Sequence, residues 1–257
     1  MPIKNKKNNV LVIGGQGYIG NIVCEDLIKK NYKIISIDNR IYNQKIDVNF
    51  LKNKNYKNYN FSISKKKTIL NIANKCYYII FLASAVGDPI TKKYPIISTK
   101  INEKFTLSLL KTLSKASIKK LIFISTCSNY GISNKVVNEK SKLKPLSVYA
   151  KNKVMIERFL LNKKNFYNYP IVILRFATAF GWSPRMRFDL TINEFVRNFV
   201  FKENFDLYDP FTWRPYCHVK DFSRIIIKVI KNKSLINRDV FNVGSNLNNF
   251  TKNQVIK

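Results

Sequence analysis

The chain has 257 residues, 46% of them hydrophobic and 13% aromatic, a composition that suits one large globular domain with a small annex and excludes disorder. None of its apolar runs approaches the roughly 18 residues of a membrane span, and the basic start leads into no signal-type segment. Four scattered cysteines and a single histidine, His218, offer no metal cluster and predict a reduced, cytoplasmic protein, while the net charge of +31 predicts nonspecific binding to polyanions.

Strand and helix patterns alternate from the start. Asn9–Ile13 reads as a short apolar strand, followed by a glycine-rich turn and a helix carrying Ile19, Ile22, Val23 and Leu27. Lys33–Ile37 is a second strand ending at Asp38. A polar, lysine-rich connection leads to a weak strand near Tyr59–Ile63. Tyr77–Leu82 is a fourth strand, Ile96–Lys115 a long helix, Leu121–Ser125 a fifth strand, Val148–Leu161 a helix and Ile171–Arg175 a sixth strand. This order predicts an α/β fold, a doubly wound parallel sheet of the Rossmann type with helices on both faces. After about Phe180 the rhythm changes. Prolines punctuate loops around two helices, Leu190–Phe201 and Val219–Lys231, before a strand at Val240–Val243. The expected division is a cofactor-binding domain over residues 1–180 and a small, partly discontinuous substrate-binding region over 181–257. Segments of that region are expected to return to the first domain.

The turn Gly14-Gly15-Gln16-Gly17-Tyr18-Ile19-Gly20 satisfies both GxxGxxG and GxGxxG. Glycine is needed where the chain turns tightly, where backbone approaches a pyrophosphate and where helix packs on strand. N–H groups at the helix start then face phosphate. Asp38, ending the next strand about 20 residues on, is placed to bond an adenosine ribose and to repel a 2′-phosphate, which favours NAD over NADP. Arg40 lies two residues further on.

Tyr149 and Lys153 are four apart on a helix and therefore project together. A free tyrosine has a pKa of about 10, and lowering it by ~3 units requires roughly 4 kcal/mol of phenolate stabilisation, which a neighbouring ammonium can supply. The fifth strand ends in the hydroxyl-rich run Ser125-Thr126-Cys127-Ser128-Asn129-Tyr130-Gly131, where open α/β sheets place ligands.

In this order, GGQGYIG, the Asp38 strand end, STCSNYG, YAKNK, LRFATAFG and WRPYCHVKD resemble the extended short-chain dehydrogenase/reductases, and among them the NAD-dependent epimerase/dehydratase branch that acts on sugar nucleotides. The resemblance runs from about residue 9 to 250. It implies that Tyr149 is the catalytic acid/base, Lys153 its pKa-lowering partner and ribose ligand, and Thr126 the hydroxyl that bonds the sugar oxygen. It implies that Gly14, Gly17, Tyr18, Ile19 and Gly20 form the pyrophosphate loop, that Asp38 and Asn39 hold the adenosine end, and that Leu82 and Ala83 line the cofactor. Arg214 matches an arginine for the nucleotide phosphates, and its fork of donors suits them. Thr178 and Asn193 are further substrate-side candidates, and the stretch Ser183–Asp189 either shapes the sugar end or is a solvated loop. A homodimer through the helices at Asn102–Ser114 and Val148–Leu161 is also implied.

Departures narrow the reaction. The family's dehydratases carry Asp-Glu after the catalytic threonine, and here those positions are Cys127 and Ser128. A 4,6-dehydration therefore lacks its acid and base. Ser62 stands where the family often has an acidic residue for adenine, and the sequence past Phe241–Ser245 is shorter than usual, which predicts a reduced substrate lid. His218 is read as supporting the phosphate-binding loop beside Arg214, and Cys127 as packing. The expected function is NAD-dependent epimerisation of a nucleotide sugar at C4. A 4-keto-sugar reductase is the near alternative, and a catalytically inactive cofactor-binding scaffold or RNA-associated protein the alternative from another class. For the second class the charge counts little, because Lys is mixed with Asn and Ile along the whole chain instead of gathering on one face.

Overall fold

A computed structural model describes residues 6–41, 48–86, 91, 93–162, 164, 167–232, 234 and 238–257; residues 42–47 of the polar connection after the second strand lie outside them. The main sheet contains β1 (Asn9–Ile13), β2 (Lys33–Asp38), β3 (Tyr56–Asn60), β4 (Tyr78–Phe81), β5 (Lys120–Thr126), β6 (Ile171–Phe176) and, late in the chain, β9 (Asp239–Val243). Their spatial order is β3-β2-β1-β4-β5-β6-β9, and every neighbouring pair is parallel. Parallel strands are covered on both faces, so their sequences are continuous apolar runs whose alternate residues serve opposite cores. Val10 and Val12 face one core with Ile122, Ile124, Val172 and Leu174. Leu11 and Ile13 face the other with Leu121, Phe123, Ile171 and Ile173.

The first core is closed by α1 (Tyr18–Lys29) and α7 (Val219–Lys231). α7 buries Val219, Phe222, Ser223, Ile226, Ile227 and Ile230, the spacing of one helical stripe. The second core is closed by α2 (Lys66–Ala73), α4 (Thr106–Leu113) and α5 (Val148–Leu161). The predicted long helix is interrupted: α3 (Pro95–Thr99) runs through a π-helical turn, Lys100–Phe105, into α4. That turn carries Asn102, whose buried amide binds the backbone of Ala85 in both directions, at 2.7 and 2.9 Å, and fixes the loop after β4. β3 begins three residues before the weak strand read from sequence. It is an edge strand, YKNYN, which needs no apolar run.

The second sheet is small, with order β10-β8-β7: β7 (Thr178–Phe180), β8 (Trp213–His218) and β10 (Asn249–Thr251). With α6 (Thr191–Phe201) and α8 (Lys252–Ile256) it forms a lobe beside the carboxyl ends of the main strands. The chain thus leaves the main sheet after β6, builds the lobe and returns through β9 to pair with β6. Among the described residues no helix is long and apolar enough to cross a membrane.

Candidate active site

The strand order reverses between β1 and β4, and the crevice at that switch point opens into a cleft of about 410 Å³ between the sheet and the small lobe. Gly14 has a φ of +89°, and a Cβ there would lie 2.7 Å from the Ala83 nitrogen, so the turn packs directly on the chain leaving β4. A Cβ on Gly20 would lie 2.3 Å from the Gly14 carbonyl oxygen, which ties the first turn of α1 to the loop. Gly17 differs, since a Cβ there would meet nothing nearer than that oxygen at 3.3 Å. It is the N-cap of α1, and it provides no side-chain cap for the first-turn N–H groups, which are left for a ligand in the cleft. At the far end Asp38 is held by two backbone donors, Gln16 N–H at 3.0 Å and Arg40 N–H at 2.9 Å. Asn39 lines the cleft beside it. Arg40 donates its Nε to the Gln16 side chain. Ile19, Leu82 and Ala83 also line the cleft, as does Ser62.

Tyr149, Lys153 and Thr126 face this same cleft. Ser147 caps α5, its hydroxyl accepting Ala150 N–H at 3.2 Å, which places Tyr149 in the first turn and Lys153 one turn on. Lys153 is buried, with Nζ donating to the Ile124 carbonyl at 2.8 Å and lying 5.8 Å from the centroid of the Tyr149 ring. Burial pushes its ammonium down to about 7, against the supporting charge of Glu157. Thr126 ends β5, and its hydroxyl accepts Ser128 N–H at 3.1 Å, a bond that does not use its own proton. Next to it, burial pushes the Cys127 thiol up to about 11, the Arg214 charge working the other way, and the thiol stays protonated at neutral pH.

On the lobe side Thr178, Arg185, Arg187 and Arg214 line the cleft, together with Lys252. Burial works against the charge on Asp189, but its ion pair with Arg187 offsets that and holds the carboxyl below its usual range. Two residues named from sequence lie elsewhere. Asn193 is buried behind the wall: its amide donates to Tyr18 Oη at 3.1 Å and to the Arg187 carbonyl at 3.0 Å, and its oxygen accepts Gly181 N–H at 2.9 Å. Those bonds leave it a support for Tyr18 and Arg187. Tyr18 itself lines the cleft and donates its hydroxyl to the Gly181 carbonyl. His218 is also outside the cleft, at the opposite end of β8 from Arg214. Its Nδ1 accepts Lys220 N–H at 3.3 Å as the cap of α7, and its ring meets Phe180 edge-on.

Sequence reasoning missed Lys252, which arrives from the far end of the chain with no motif around it, and the buried pair Glu157–Arg175. The pair had a signal, because Tyr149, Lys153 and Glu157 are spaced by four along one helix face.

The sequence model of the NAD dependent epimerase/dehydratase family matches residues 10–244. The UDP-glucuronate 4-epimerase of Thermodesulfobacterium geofontis is 27% identical over 259 residues, a match covering 96% of this chain and 78% of that protein. Among solved structures, the UDP-N-acetylglucosamine 4-epimerase of Methanobrevibacter ruminantium superposes with a TM-score of 0.86 at 25% identity, over 98% of this chain and 81% of that one. The UDP-glucuronic acid 4-epimerase of Bacillus cereus, solved with UDP-glucuronic acid and NAD, gives 0.82 at 25% identity, over 95% and 79%.

Proposed function

The chain belongs to the NAD dependent epimerase/dehydratase family, and we propose that it inverts C4 of a nucleotide sugar through a transient 4-keto intermediate, with NAD as resident cofactor. The observation that carries this reading is a single cleft that joins the glycine turn and Asp38 to Tyr149, Lys153 and Thr126. The residues fit NAD: open N–H groups at the start of α1, space at Gly17 and a fixed carboxylate at the end of β2. The Asp38 charge also favours a free ribose hydroxyl over a 2′-phosphate. When bound there, NAD supplies a hydride acceptor that gives back what it takes.

The chain's own residues manage the proton and the sugar. Tyr149 takes the proton of the 4-hydroxyl and returns it when the opposite face of the sugar is reduced. Thr126 donates a hydrogen bond to the same oxygen and fixes its distance. Lys153 lowers the tyrosine pKa by placing an ammonium against its ring in a dry site. Arg185, Arg187 and Arg214 give the lobe side the positive charge and forked donors that a nucleoside diphosphate requires. The residues after Thr126 support epimerisation over dehydration, since neither a protonated Cys127 nor Ser128 can act as the carboxyl acid of an elimination.

We read the enzyme as a cytoplasmic homodimer. In favour are four free cysteines and the apolar residues Ile96 and Ile97 of α3 and Val148 of α5, exposed beside the helices at Asn102–Ser114 and Val148–Leu161 expected at the interface. Its charge of +31 supports weak, salt-sensitive binding to polyanions.

The test is to incubate the NAD-loaded protein with a panel of nucleotide sugars and resolve the products. Interconversion of two 4-epimers with no net change in NAD redox state is expected, and Tyr149→Phe should lose about 10²- to 10⁴-fold in kcat. Stoichiometric oxidation of added NADH by a 4-keto sugar, without epimer exchange, would replace this reading with a reductase.

A further inference from the structure

Beneath the cleft floor lies a second set of charges that the reaction does not touch. Glu157 is only 1% exposed and lies one turn beyond Lys153 on α5. One carboxylate oxygen accepts the Asn129 amide at 2.8 Å and Arg175 Nε at 3.1 Å, and the other accepts Arg175 Nη2 at 2.7 Å. The same Asn129 nitrogen donates to Ser125 Oγ at 3.1 Å. Ser125 immediately precedes Thr126, and Asn129 sits in the 3₁₀ turn, Cys127–Tyr130, that Thr126 caps. Lys153 Nζ, bonded to the Ile124 carbonyl, closes a ring of contacts between the face of α5 and the carboxyl end of β5. From Arg175 the network continues to Tyr130 Oη at 2.9 Å and on to Asn242 of β9 at 2.6 Å.

A buried ion pair is a weak source of stability, because desolvation cancels much of its attraction and an apolar pair of similar volume packs as well. Its charge does more at Lys153. That ammonium is enclosed by the rings of Phe123 and Tyr149 and by one carbonyl. The charged and titratable side chains on elements packed against α5 are Arg175 of β6, Lys120 of β5, whose ammonium donates to the Val229 and Asn232 carbonyls, Lys100, Glu103 and Lys104 of the π turn, Lys111 of α4, and Cys127 and Tyr130 of the 3₁₀ turn. Glu157 is the group whose charge acts on Lys153.

We propose that Glu157 is a positioning residue for proton transfer, its buried carboxylate tying the Tyr149–Lys153 face of α5 to the Thr126 turn and setting a negative charge one helical turn from Lys153. The inference rests on Tyr149 being the acid/base of the reading above. Arg175 aims the carboxylate through its Nε and Nη2 donors. With Glu157→Gln the Asn129 contact can persist, but the anion one turn from Lys153 is gone. The ammonium then gives up its proton more readily, the Tyr149 phenolate loses its support, and Tyr149 titrates at higher pH.

The experiment follows the ultraviolet absorbance of the Tyr149 phenolate against pH in the NAD-loaded protein, each variant being read against the same protein carrying Tyr149→Phe. Glu157→Gln is expected to move the titration up by about one pH unit. The acid limb of kcat should move with it, and the nucleotide-sugar KM should stay within about twofold. Glu157→Asp should recover part of the shift. The double variant Glu157→Gln/Arg175→Met removes both charges without leaving one buried alone, so it keeps the fold where the single variant fails, and its titration should also move up. A folded variant of either kind with a wild-type Tyr149 titration and acid limb overturns the proposal and leaves Glu157 a structural tie. If instead wild-type Tyr149 titrates in the ordinary tyrosine range and turns over no nucleotide sugar, the functional reading itself fails, and the proposal with it.

Discussion

Gly17→Ala and Gly20→Ala, three residues apart in one turn, should separate cofactor binding from folding. At Gly17 the backbone is extended, φ −74° and ψ 176°, and a new Cβ would meet nothing closer than 3.3 Å. Alanine is a poorer N-cap than glycine by roughly 0.5–1 kcal/mol, and removing glycine from the unfolded chain contributes about 0.4–1 kcal/mol the other way. These nearly cancel, so Tm should stay within about 3 °C of wild type. The methyl would nonetheless stand beside the open N–H groups of α1, where a pyrophosphate must approach. Displacing it by a few tenths of an ångström should weaken NAD roughly tenfold to a hundredfold, equivalent to about 1.4–2.8 kcal/mol. At Gly20 the new Cβ lies 2.3 Å from the Gly14 carbonyl oxygen and 2.8 Å from the Gly15 backbone, neither of which is the end of a flexible side chain. Overpacking of this kind costs about 1–3 kcal/mol, so Tm should fall by roughly 2–12 °C. Calorimetry on the cofactor-free proteins and NAD titration of each measure the two effects separately. A Gly17→Ala protein that binds NAD as tightly as wild type would refute the placement of the pyrophosphate at this turn.

Arg214→Ala should raise the nucleotide-sugar KM about tenfold or more while kcat changes little, because phosphate contacts bind ground and transition state alike; steady-state kinetics decide it, and a loss confined to kcat would contradict the assignment. For Lys153, burial drives the folded-state pKa from 10.5 down to about 7, so the unfolded chain binds the extra proton between those values. The native state therefore carries a penalty that is full below about pH 7 and is relieved as pH rises toward 10. In the cofactor-free protein, Lys153→Met should raise Tm relative to wild type most near pH 6, with the gap shrinking by about pH 9; a gap independent of pH in thermal melts would contradict this sign. Lys120 is buried beneath the end of α7, donating to the Val229 carbonyl at 2.8 Å and the Asn232 carbonyl at 2.6 Å. Lys120→Met should cost about 1–3 kcal/mol in denaturant unfolding and leave NAD affinity unchanged.

Which parts of this site were legible in the sequence follows from how far each depends on distant chain. The glycine turn, Asp38 and the Tyr149–Lys153 spacing are local, since helix and strand geometry alone fix which way the residues face. The central strands were legible for a related reason: burial on both faces writes itself as an uninterrupted apolar run, as in Leu121–Ile124. β3, β7, β8 and β10 lacked that signature, being edge or small-sheet strands rich in polar and aromatic residues. The π turn at Lys100–Phe105 was invisible because helical periodicity continues through it, and what it serves, the Asn102 clamp on Ala85, is a contact between separate elements.

Side-chain roles depend on tertiary placement more strongly still. Asn193 and Arg214 both looked like polar residues available to a substrate. The fold spends every hydrogen-bonding group of the first on Tyr18, Gly181 and Arg187, and turns the second into the cleft. Glu157 shows the converse. Its spacing from Lys153 was plain, yet a glutamate in a helix of a lysine-rich chain reads as a solvated surface residue. Only the arrival of Arg175 from β6 and Asn129 from the turn after β5 makes its burial possible, because a buried charge must be paired and hydrogen-bonded. A charge so enclosed is felt by its neighbours far more strongly than one at the surface. The part of the site hardest to read from sequence is thus the part with most leverage on the proton that the visible motif moves.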